Sequence, residues 1–170
     1  ISSEFSTSFW SAALLSDRTN ASAAFSTLCV AALGTGFGIG RWFIPIWMRK
    51  TTLDVRLKTI LSIQFISFML FWFSHNLTFS LAMLLFVGIG ISGQFPMTMV
   101  RLMKLSEGKP DQAMGKAAYA AGAAIALAPF LLGFFGDHIG ISKAYLMVPF
   151  LIALSFGAIL LSNLQEPKQH

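Results

Sequence analysis

The chain has 170 residues, of which 55% are hydrophobic, 14% aromatic and only 11% charged. Soluble domains usually carry charge on about a quarter of their residues, so an ordinary water-soluble globule is excluded. The net charge of +5 gathers in a few short segments, a placement set by membrane topology that leaves a nucleic-acid surface little to explain.

Residues 1–16, ISSEFSTSFWSAALLS, read as the tail of a membrane span that ends in the loop Asp17-Arg18-Thr19-Asn20. The chain opens at Ile1 with no basic n-region or cleavage site, so no signal peptide is read there. The chain is expected to start inside a helix, with an N-terminal part missing upstream. With Asp17 at the membrane surface, Glu4 lies roughly 20 Å into a hydrocarbon core of about 30 Å. Glu4, Ser8 and Ser11 follow at i, i+4 and i+7, and so share one helix face.

The second span, about 21–46, carries Gly34, Gly36, Gly38 and Gly40. Small residues four apart let helices approach closely in lipid, where apolar burial between helices gives little drive. Thr27, Ala31, Gly34, Gly38 and Arg41 fall on one face. Cys29 is the one cysteine, so no intrachain disulfide can form, and it reads as a small apolar filler. A basic loop, 47–58, follows with Arg49, Lys50, Arg56 and Lys58. The third span, about 59–73, is rich in Phe, Leu and Ile, interrupted by Gln64 and serines. His75-Asn76 is where a tight helical hairpin turns into the fourth span, about 77–103. That span carries Gln94 beside Phe95-Pro96. A polar loop, 104–112, holds Glu107 and Asp111. The fifth span, about 113–136, is Ala/Gly-rich, with Gly122, Ala126, Pro129, Gly133 and Gly136 on one face. Asp137 to Gly140 turn the chain into the sixth span, about 143–164, and a polar tail runs to His170.

The loops after spans two and four and the tail hold ten Lys or Arg residues, and the opposite side only Arg18 and Lys143. Positive residues mark the cytoplasmic side, so both loops and the C-terminus are expected in the cytoplasm. The predicted fold class is all-α: a polytopic membrane helical bundle forming a single transmembrane domain.

Six spans with a basic loop after the second resemble the C-terminal half of a major facilitator superfamily transporter, helices seven to twelve with helix seven truncated. Glu4 followed by Phe9-Trp10 is similar to the Glu and Phe-Trp of the family's helix seven. Gly36 and Arg41 match the signature loop G-x-x-x-D-R-x-G-R-K, with Gly40 at the Asp position and Phe43 at the second Gly. Ala128-Pro129, Gly133 and Asp137 look like the A-P-x-x-x-G-x-x-x-D pattern of helix eleven. The resemblance implies a missing N-terminal helical half as partner. It also implies a small-molecule substrate near the bilayer midplane and residence in the inner (plasma) membrane of a bacterium.

Glu4 is the leading candidate for binding substrate or a coupling proton, because a carboxylate at depth must be paired, protonated or wet, against a plain Glu near a frayed helix end. Ser8 shares its face. Gln94 sits where a proline-interrupted helix could line a transport site, against a simple helix–helix hydrogen bond. Trp10 and Tyr119 could stack on a ligand, against interfacial anchoring or packing. Arg41 and Asp137 lie near helix ends, where topology and capping account for them, while the resemblance makes Arg41 a gate residue. His75, His138 and His170 have no second ligand at metal spacing, so no metal site or cofactor is expected. Gly88-Ile-Gly90-Ile-Ser-Gly93 matches a dinucleotide fingerprint but lies in an uncharged span without a βαβ unit. The sequons at Asn20 and Asn76 lie in loops too short for modification. One carboxylate at depth does not make a catalytic cluster, so no enzyme is expected. The function expected is alternating-access transport of a small solute, coupled to protons. The alternative is a non-transporting membrane half-protein or interaction module that assembles with a partner chain.

Overall fold

The computed structural model describes residues 1–19, 23–106 and 108–165. Asn20, Glu107 and His170, each singled out above, lie outside them, as does Lys168 of the tail. The described residues form eight α-helices and no strand: α1 (Ser2–Thr19), α2 (Ala23–Trp47), α3 (Leu53–Phe73), α4 (Leu77–Ile91), α5 (Gln94–Lys104), α6 (Pro110–Ile139), α7 (Ile141–Ala144) and α8 (Met147–Gln165). Five stretches are long and apolar enough to cross a membrane: Thr27–Trp47, Leu53–Phe73, Leu77–Lys104, Pro110–Ile139 and Ile141–Leu161. This is an all-helical integral membrane architecture. The serine-rich α1 is not among the five, yet it packs into the bundle against α2 and α6.

The helices run further than the expected spans. α3 begins at Leu53 instead of 59, because Thr52 caps it by accepting from the Val55 N–H. Arg56 and Lys58 lie in its first turns, where long cationic side chains reach the aqueous boundary without ending the helix. α6 starts at Pro110, a favoured first helical position, and continues through Asp137 and His138. It stops at Gly140, whose φ of 85° suits glycine. The turn at His75-Asn76 lies where the sequence placed it, with the Asn76 side chain accepting from the Phe79 N–H at 3.1 Å. The fourth expected span is interrupted at Ser92-Gly93. Pro96 has no N–H to donate to the Ser92 carbonyl four residues back.

Close backbone approach holds α2 to α4. A Cβ on Gly36 would run into the carbonyl of Leu85, and one on Gly88 into the carbonyl of Leu33. Gly90 lies against the backbone of Gln64 in the same way, drawing α4 onto α3. Around these seams Phe68, Phe71, Leu84, Leu132 and Tyr145 form the buried core. The Tyr145 ring stacks on Phe68 at 5.8 Å, and its hydroxyl donates to the Ser6 carbonyl at 3.2 Å.

Candidate functional site

Polar contacts sort the helix ends into two groups. At one end Arg101 of α5 pairs with Asp54 of α3, and Arg56 donates to the Arg49 carbonyl at 3.1 Å. The two basic loops therefore lie at a common end. At the other end Arg18 donates to Ser142 Oγ at 2.6 Å, Trp72 donates to the Ser142 carbonyl at 2.9 Å, and the Arg18 guanidinium lies 5.1 Å from the Trp72 ring centre. Burial lowers the Arg18 pKa, and Asp17 opposes the shift. α1, α3 and α7 are thus fastened together at the end that carries few cations.

Between these ends lie two cavities. The larger, about 680 Å³, opens among α1, α3, α5, α6 and α8 and reaches from Arg101 and Leu105 inward to Gln94 and Phe95. The smaller, about 240 Å³, is lined by Glu4, Phe37, Arg41, Ser92, Phe95 and Ile125 among others. Ile1, Phe95 and Ala121 border both, so the two adjoin. The helix interruption at Ser92-Gly93 falls at their junction.

Glu4 and Arg41 therefore meet in one pocket although they lie 37 positions apart on different helices. Arg41 stands near the end of α2, as its sequence position implied. α2 continues six residues beyond it, to Trp47, and the guanidinium lies 4.9 Å from the Phe37 ring centre. Among the described residues Glu4 and Arg41 do not form an ion pair.

Gln94 lines the larger cavity and also makes helix–helix hydrogen bonds. Its amide donates to Gln64 Oε1 at 2.6 Å and to the Gly90 carbonyl at 2.9 Å. Gln64 in turn donates to Ser3 Oγ at 3.0 Å. Gln64 is wholly buried and ties α3 to both α1 and α5. It stood out in the sequence as a polar residue in an apolar run, but its partners come from two other helices.

The remaining candidates are placed elsewhere. Trp10 donates from Nε1 to the Pro129 carbonyl at 3.0 Å, and its ring covers Gly133, where a Cβ would stand 2.6 Å from the indole. It packs α1 on α6. Ser8 is half-buried and lines neither cavity. The buried face of α1 is instead Ser3, Ser6, Thr7 and Ser11, with Leu14 and Leu15. Tyr119 is 85% exposed on the outside of α6. Asp137 is exposed at the sparsely charged end. Among the described residues no three His, Cys, Asp or Glu side chains come together.

The small-residue stripes also resolve into two kinds. Thr27, Ala31, Gly34 and Gly38 of α2 face outward, and Arg41, also exposed, lines the smaller pocket; on α6, Gly122 and Ala126 face outward with Gly115 and Ala118, whereas Gly133 is buried and Pro129 and Gly136 are half-buried. No heavy atom would meet a Cβ at Gly34, Gly38, Gly115 or Gly122. Family models, curated proteins and solved structures offer no match to this chain.

Proposed function

We propose that this chain is the C-terminal six-helix half of a secondary transporter of the major facilitator kind, moving a small solute by alternating access with proton coupling. One observation carries the reading. A cleft that runs inward from Arg101 and Leu105 at the basic end adjoins a pocket lined by the opposite charges Glu4 and Arg41, while towards the other end Arg18, Trp72, Ser142 and Tyr145 fasten the helices together. Ionisable groups inside spans face cavities and serve transport pathways, and interrupted helices gather at transport sites. On this reading the basic end and the C-terminus face the cytoplasm of a bacterial cell, following the excess of Lys and Arg. A second helical half covers the outward stripes of α2 and α6. Those stripes equally suit a half-protein that only assembles with a partner chain.

Labelling separates the two. In the full-length protein with Cys29→Ser, Thr98→Cys in the larger cleft should react with a membrane-impermeant maleimide added from the Lys50 side. That reactivity should fall when an imposed pH gradient drives the opposite opening, and Glu4→Gln should remove the gradient's effect. Reactivity unchanged under every gradient would rule transport out in favour of the assembly module.

A further inference from the structure

We infer that the smaller pocket takes a small zwitterion, its cationic group towards Glu4 and its anionic group towards Arg41. The inference rests on the transport reading above and adds the class of solute.

The two charges come from separate helices, line a common pocket and are not joined in an ion pair among the described residues. Inside a span each such charge is costly unless a counter-charge meets it. A lone cation would satisfy Glu4 and leave Arg41 uncompensated. A lone anion would do the reverse, and a neutral solute would satisfy neither. A zwitterion meets both and brings no net charge into the span.

The walls fit that solute. The Arg41 guanidinium lies over Phe37, an arrangement that leaves its N–H fork available to a carboxylate. Phe37 and Phe95 add aromatic faces, against which an ammonium or quaternary ammonium group is attracted. A volume of about 240 Å³ corresponds to roughly eight water-sized groups at about 30 Å³ each. That leaves room for a solute of about as many non-hydrogen atoms.

The test uses the full-length protein in proteoliposomes and labelled solutes of matched size. L-Alanine and glycine betaine are the zwitterions, choline is the cation, and 3,3-dimethylbutyrate is the anion with the shape of betaine. At least one zwitterion should enter at least tenfold faster than choline and 3,3-dimethylbutyrate. Glu4→Gln should shrink its advantage over the anion to under threefold, and Arg41→Gln its advantage over the cation. Arg41→Lys should keep the latter, and each variant should remain monodisperse in detergent. Choline or 3,3-dimethylbutyrate entering as fast as the zwitterions would overturn the solute class and leave transport standing. Advantages untouched by both charge removals would do the same. If none of the four solutes enters while Thr98→Cys still changes reactivity with the gradient, the solute class alone fails. If neither occurs, both readings fail.

Discussion

On one side of α2, Gly36 and Gly40 are pressed against α4, where a Cβ would meet the backbone of Leu85 or Ile89. On the other side, Gly34 and Gly38 meet nothing. The same residue type, two positions apart in one helix, closes one interface and leaves another open. In lipid, helices associate through close van der Waals packing, because hydrocarbon solvates apolar side chains as well as a protein core does. A glycine therefore permits a close approach, and only a second backbone decides whether the approach takes place. The closed face holds this bundle together; the open one, like Gly115 and Gly122 of α6, faces outward.

The largest expected effect breaks the closed face. Gly36→Val should lose about 3 kcal/mol or more, because the added branch meets main chain and cannot be relieved by a rotamer change. Thermal unfolding in detergent reads this, and Gly88→Val, approaching the same seam from α4, should act alike. A small shift in either would mean that α2 and α4 can separate freely.

Next in size is the clasp at the basic end. Arg101 is 7% exposed and pairs with Asp54, so Asp54→Asn should cost about 1–3 kcal/mol by leaving a buried cation without its counter-charge. The double variant Asp54→Asn with Arg101→Met should recover part of that loss. Additive losses would show that the two side chains act independently.

Trp10→Phe sharpens the contrast on α6, where Gly133 is covered by the indole and Gly122 is bare. The change removes the bond to the Pro129 carbonyl and withdraws the outer indole atoms, Cζ2 and Cη2, that lie nearest Gly133. A loss of about 0.6–1 kcal/mol is expected.

The smallest stability effect belongs to the open face. Gly38→Leu should change the unfolding of this chain by no more than about 0.5 kcal/mol. In the full-length protein it should nonetheless abolish transport or partner association, measured by uptake and by cross-linking across the α2 stripe. Wild-type behaviour in both assays would mean that the stripe faces lipid.

Much of the fold was legible in the sequence because its signals are local. Apolar run length, the Asn76 turn, Gly140 and the grouping of Lys and Arg each depend on a few neighbouring residues and on the bilayer as solvent. The boundaries at Leu53 and Pro110 were misplaced for a local reason too: charge near a helix start reads as loop, although a helix can carry cations to the aqueous boundary. The candidate site was legible only in part. Glu4 and Gln94 stood out as polar residues at depth. The meeting of Glu4 with Arg41 did not, and neither did the amide chain from Ser3 through Gln64 to Gln94.

By itself the sequence determined that this is a helical membrane protein, where its helices turn, and which end gathers the cations, because hydropathy and charge act residue by residue against lipid and water. Only the tertiary structure decided which glycines are covered, that Trp10 is a packing residue against Pro129 and Gly133, and that two opposite charges from α1 and α2 share a pocket. Those outcomes depend on how helices distant in sequence lie against one another, and periodicity within a single helix carries no information about its neighbour's register.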